Sequence, residues 1–171
     1  MSGLLPVERF LATLSIVKRE GDHLTYSWLT LFAEEKLITQ TWVETLDDQP
    51  QEAVFLEAFV SRFGRMQDTL ADKLLPRWLQ ALAEKPGSQI ETLNRAERLG
   101  VVNSVEGWLI ARKLRNQLVH EYMENAREFA EAINIARDSS LMLLSTYNQL
   151  HHYAENKMLL TELPGLLNLP N

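Results

Sequence analysis

Apolar residues recur along this chain at intervals of three and four, while runs that alternate in polarity are scarce. That period belongs to helices that bury one stripe each, so helices are predicted throughout. Phe10, Leu14 and Val17 open the first helix behind Pro6, whose missing N–H costs little in a first turn. Gly21 is predicted to interrupt it, and Asp22 to cap a resumption that carries Leu24, Trp28, Leu31 and Phe32 to about Leu37. His23 then falls in a loop or at a helix start. A second, short helix is expected to hold Trp42, Val43 and Leu46, and Asp47-Asp48-Gln49-Pro50 reads as a break. Phe55, Phe59, Phe63, Met66, Leu70 and Leu74 then step by four, four, three, four and four, which predicts one long inward stripe. Pro76 disfavours helical geometry at Leu75 and predicts a kink or a restart, with Trp78, Leu79 and Leu82 carrying on to Glu84.

Lys85-Pro86-Gly87-Ser88 is the clearest turn. Ser88 and Glu91 have the spacing of a capping box, opening a short helix to Leu99 that Gly100 can close. Asn103 or Ser104 can cap the next helix, expected over about 104–122, with Glu106 in its first turn where the helix dipole favours an anion. It carries Val105, Trp108, Leu109, Leu118, Val119 and Tyr122. The last helix is predicted from near Asn125 to about Tyr153, and the tail 160–171 reads as irregular chain lying against the bundle. No internal repeat or linker divides the sequence. The expectation is a single all-α domain over 1–171, an antiparallel four- to five-helix up-and-down bundle.

Composition narrows the function classes. A chain of 171 residues suits one core. A formal charge of −6 and a pI near 5.3 argue against broad attraction to phosphate, so any RNA contact needs a local cationic site. The absence of cysteine excludes thiolate metal sites and cysteine nucleophiles. The N-terminus lacks the pattern of a signal peptide, and no apolar run approaches the roughly 20 residues of a membrane span. A cytoplasmic protein without a membrane partner or cofactor is expected.

Residues 112–122 read Arg-Lys-Leu-Arg-Asn-Gln-Leu-Val-His-Glu-Tyr and hold the candidate chemistry. A helix advances about 100° per residue, so Arg112, Asn116 and His120 form one polar line, and Arg115, Val119 and Tyr122 a second beside it. Histidine titrates near neutral pH and can take a proton from a 2′-hydroxyl or give one to a leaving oxygen. Arginine matches phosphate with a planar fork of donors and stabilises charge developing on its oxygens. Asn116 can orient the imidazole or donate to phosphate, and Arg112 adds a second cation. Together these suit metal-free phosphodiester cleavage. Arg115 and His120 nevertheless diverge by about 140° on one helix. Two copies about a two-fold axis would bring both residue types around one cleft.

The run Arg115-Asn116-x-x-x-His120-x-Tyr122 resembles the Arg-x4-His-x-Tyr signature of the HEPN superfamily, in particular its toxin-like branch, which pairs with minimal nucleotidyltransferases. The order of elements around it is similar over roughly 50–150: a long helix with Arg62-Phe63, then Asp68 and Lys73, a short Leu93-x5-Leu99-Gly100 segment, and an amphipathic helix after the signature. The resemblance implies a homodimer across the signature helix. It also implies metal-independent endoribonuclease activity with Arg115 and His120 as the catalytic pair, and an RNA substrate. In toxin-like members the partner attaches AMP to the signature tyrosine, so Tyr122 becomes a modification candidate and a nucleotidyltransferase antitoxin a candidate partner. Asp68 becomes a candidate acidic support.

Plainer readings stand beside these. The Arg115–His120 face can be a salt-bridged surface, with Glu121 and Glu124 nearby, on a non-catalytic module that binds a nucleotide or a nucleotidyltransferase. Tyr122 can be a half-buried residue with a bonded hydroxyl, and Asp68 a solvated carboxylate. His151 and His152 are adjacent on a helix and are expected to face apart, without further ligands at metal-binding spacing. The Phe55, Phe59, Phe63 stripe reads as core.

Overall fold

The computed structural model describes residues 3–120 and 124–170, and at Glu35 and His120 it describes the backbone alone. Among the described residues there is no strand. The α-helices are α1 (Pro6–Leu31), α2 (Gln40–Glu44), α3 (Pro50–Thr69), α4 (Leu75–Ala81), α5 (Gln89–Arg98), α6 (Val105–His120) and α7 (Ala126–Asn156). A single π-helical turn, Leu70–Leu74, joins α3 to α4, and short 3-10 turns follow α1 and α2. The all-α expectation is met. Four long rods, α1, α3–α4, α6 and α7, share one core: α1 packs on α3, α4 and α7, while α6 packs on α7 and α3.

Local chemistry sets most helix ends. Pro6 and Pro50 occupy the first turns of α1 and α3. Thr39 Oγ1 accepts from the Trp42 N–H at 3.1 Å, Ser88 Oγ from Glu91 at 3.2 Å, Ser104 Oγ from Gly107 at 3.0 Å, and Asn125 Oδ1 from Glu128 at 3.0 Å, so α2, α5, α6 and α7 start on capped donors. Of the two caps proposed for α6, Ser104 is the one used. Gly100 closes α5 with φ +81°, the left-handed geometry glycine adopts without strain.

Several expectations are corrected. Gly21 does not interrupt α1, which runs through it without a break and places His23 inside the helix. The glycine is there for space: a Cβ at this position would lie 2.5 Å from Leu167 Cδ1, because the tail seats Leu167 in the notch. Leu46 falls in the 3-10 turn after α2. Phe55 is only half-buried, and Leu56 takes the inward position in line with Phe59, Phe63, Met66 and Leu70. The restart expected at Pro76 is found: α4 begins at Leu75 with the proline in its first turn, directly after the π turn. Pro76 lacks the N–H that would bond the Asp72 carbonyl, and the widened π turn immediately before it absorbs the mismatch. The rod ends at Ala81, short of the predicted Glu84, where Ala83 takes φ +61° and the Glu84 N–H reaches back to the Leu79 carbonyl at 2.9 Å.

The tail is irregular, as expected, and firmly docked. Asn148 exchanges two hydrogen bonds with the backbone of Leu167, at 2.9 and 2.8 Å. Tyr147 donates to the Gly165 carbonyl at 2.8 Å, and His151 Nε2 donates to that of Pro164 at 2.8 Å. The segment before α2 is tied to α7 in the same manner, since Asn134 pairs with both backbone groups of Ile38. No described helix is long and apolar enough to cross a membrane.

Candidate functional site

Trp108, Ala111, Leu114 and Leu118 form the buried stripe of α6. Their burial fixes the rotation of the helix about its axis and so decides where the polar residues point. Arg112 and Asn116 face solvent, while Arg115 sits at the edge of the buried stripe, against α3. Its stem lies over Gly64, where a Cβ would meet Arg115 Cγ and Nε at 3.5 Å. The guanidinium then reaches Asp68, with an Nη2–Oδ2 distance of 3.0 Å. Both side chains remain partly open to water, at 32% and 48%, so solvent screens the pair and it contributes only a few tenths of a kcal/mol up to about 1 kcal/mol. Its larger effect is positional. The acidic candidate Asp68, one turn beyond Gly64 on α3, holds the Arg115 head in place.

The Arg115–Asp68 pair borders two recesses. The larger, about 650 Å³, opens between α3 with its π turn and α6, and is lined by Arg65, Lys73, Arg115, Glu57, Asp72 and the apolar Val60 and Val119 among others. Arg65, Lys73 and Arg115 stand here among three carboxylates, Glu57, Asp68 and Asp72, so the wall carries no net charge. The smaller, about 250 Å³, lies between the π turn, α5 and α6, with Gln67, Asp68, Asp72, Trp108, Arg112 and Asn116 in its wall. Arg112 donates to Gln89 Oε1 at 2.7 Å, and Gln89 Nε2 donates to Asp72 at 2.8 Å, a bridge along its rim. Asn116 accepts from Arg115 at a long 3.4 Å.

The described members of the two lines stay side by side: Arg112 and Asn116 of the first and Arg115 of the second all line the same smaller recess. Arg115 and Asp68 meet, Asn116 touches the same guanidinium, and Arg112 belongs to the α5 side. The His120 side chain and the whole of Tyr122 lie outside the described residues. Arg62 is turned away from the recesses, donating to the His23 carbonyl and Ser27 on α1.

Thr69, in the wall of the larger recess, donates to Glu20 Oε2 on α1 at 3.0 Å. Burial raises the pKa of Glu20 above the ordinary carboxylate value, against the opposing pull of the Thr69 hydrogen bond and of Arg65 and Lys73. Sequence reasoning missed Glu20, Arg65, Thr69 and Gln67. Only Gln67 left a signal: a polar residue placed between Phe63 and Leu70 on an otherwise apolar face. The expectation at His151–His152 also needs correcting. Ligand atoms of His151, His152 and Glu155 all lie within 4.8 Å of one another, because Glu155 follows His151 by one helical turn. His151 already uses Nε2 on the Pro164 carbonyl and serves as a clasp for the tail.

Compared with protein-family models, curated proteins and solved structures, the chain matches none of them.

Proposed function

We propose that the chain is a HEPN-like, metal-independent endoribonuclease that acts as a homodimer, with Arg115 and His120 of two copies around one phosphate. The observation that carries this reading is the position of Arg115. It is anchored by Asp68 at the edge of a cleft where Arg65 and Lys73 also stand, so three cations, set among the carboxylates of Glu57, Asp68 and Asp72, line one recess and can donate to a phosphodiester. Exposed apolar Leu109 and Val119, about 80° apart on the same helix, offer contact area to a second copy. In the reaction, His120 of one copy removes the proton of a 2′-hydroxyl, whose oxygen attacks the adjacent phosphorus. The P–O5′ bond breaks, the leaving oxygen takes a proton from the His120 of the second copy, and Arg115 neutralises charge on the phosphoryl oxygens.

The test is cleavage of single-stranded RNA by the pure chain in EDTA, beside His120→Ala and Arg115→Ala. Each substitution is expected to slow cleavage by roughly 10²-fold or more. Cleavage that survives His120→Ala, or that stops on chelation, overturns the mechanism.

One observation favours a second reading. Asp68 already neutralises Arg115, as it would in a face built to hold a protein partner. Here the chain is the non-catalytic or toxin partner of a nucleotidyltransferase, with Tyr122 as the residue that accepts AMP. A chain inert on RNA that forms a stoichiometric complex with such an enzyme, and gains the mass of AMP on Tyr122, decides for it.

A further inference from the structure

His151, His152 and Glu155 crowd together on the last turns of α7, where the tail folds back over the helix. A ligand atom of each lies within 4.8 Å of the other two. His152 and Glu155 are exposed, while His151 is 7% exposed. His151 and Glu155 also border a hollow of about 690 Å³ against the tail. The tautomer of His151 follows from its partner. A carbonyl only accepts, so Nε2, 2.8 Å from the Pro164 oxygen, carries the ring hydrogen. Nδ1 is then a bare lone pair, buried and without a partner among the described residues. Leaving a buried acceptor unpaired is costly. Water does not relieve it, because its oxygen would need to stand about 3 Å away and Nδ1 has no surface open to it. A zinc ion binds nitrogen at about 2.0–2.1 Å, closer to the ring than water can come. Glu155 stands one turn beyond His151, and helical side chains lean toward the N-terminus, which sets its carboxylate over the ring.

We propose that His151, His152 and Glu155 form a site for one divalent cation of the zinc class, with His151 ligating through Nδ1. Two imidazoles and a carboxylate suit zinc, whereas magnesium and calcium take oxygen ligands. The cation enters on the exposed pair, and a fourth position is left for water. At these bond lengths the ligands of one tetrahedral ion stand roughly 3–4 Å apart, so His152 and Glu155 need to draw in by about 1–2 Å at most. Part of the outer shell is in place. A metal-bound histidine donates its other N–H to a carbonyl, which fixes the ring, and Pro164 is that carbonyl for His151. A bound cation polarises the imidazole and strengthens this bond, so the same site ties the tail to α7. Gln149 donates to Asn103 ahead of α6, so the site lies beyond the start of α6 and apart from Arg115. It owes nothing to the nuclease reading.

The test is calorimetric titration of zinc into the full chain, free of any histidine tag, with magnesium as the control. One zinc per chain and no magnesium are expected. Zinc in about 100-fold excess over its dissociation constant is expected to raise the thermal midpoint by about 5–10 °C. His152→Ala and Glu155→Gln remove exposed ligands, so each is expected to weaken zinc at least about tenfold while leaving the metal-free midpoint unaltered. In nitrogen-15 NMR, zinc is expected to shift His151 Nδ1 while Nε2 keeps its proton. Zinc that binds without moving His151 Nδ1, or that binds His152→Ala equally well, overturns the site and leaves surface side chains acting singly. Absence of saturable zinc binding overturns it as well.

Discussion

Replacing Gly21 by alanine should loosen the C-terminal tail, although the site lies in the middle of a helix where alanine is ordinarily the better residue. By helix propensity alone the change would stabilise by about 1 kcal/mol. The added Cβ, however, would sit 2.5 and 2.9 Å from the two terminal carbons of Leu167, so the leucine must leave its notch. Leu167 is 4% exposed, and a leucine returned to water loses about 1.5–3 kcal/mol. The difference is a net loss of about 0.5–2 kcal/mol, or roughly 1–8 °C in the midpoint of a domain of this size. Thermal unfolding followed by circular dichroism measures it. Hydrogen exchange should accelerate at the Leu167 amide, which bonds to Asn148, and remain slow in the centre of α1. In a Leu167→Ala background the clash is gone, and Gly21→Ala should then stabilise. A midpoint that rises in the otherwise native chain, or two substitutions that simply add, would refute the notch as the reason for the glycine.

Two further outcomes follow from the geometry. Burial holds the proton on Glu20 to higher pH in the folded protein than in the unfolded chain, so folding is favoured most below the ordinary carboxylate range and loses stability as pH rises through the elevated value. Glu20→Gln should flatten this dependence in denaturant titrations carried upward from the ordinary carboxylate range, whereas an unchanged slope would assign it to other groups. Ala83 is exposed and holds φ +61° at the end of α4, so Ala83→Gly should stabilise by roughly 0.5–1 kcal/mol, read as a higher urea midpoint at constant slope. A lower midpoint would mean that the turn carries no strain.

The sequence by itself determined what depends on neighbours within a turn or two. The caps at Ser88, Ser104 and Asn125 and the left-handed Gly100 are local hydrogen bonds or local dihedrals, so their residue types announce them. The stripes that bury Phe59, Phe63 and Leu70, or Trp108 and Leu118, are likewise visible, because helical period and burial are the same fact seen twice. Even the divergence of Arg115 and His120 follows from 100° per residue. Tertiary structure decided everything that joins distant segments. Gly21 reads as a breaker until Leu167 is brought against it, and the restart at Pro76 is legible in the sequence while the π turn that precedes it is not. Asp68 is an ordinary surface carboxylate until packing of α3 on α6 sets it 3.0 Å from Arg115, 47 residues along the chain. His151 keeps an unpartnered Nδ1 only once the tail brings Pro164 against the other ring nitrogen, since a missing hydrogen-bond partner is a property of the space left between elements and of no residue in the sequence.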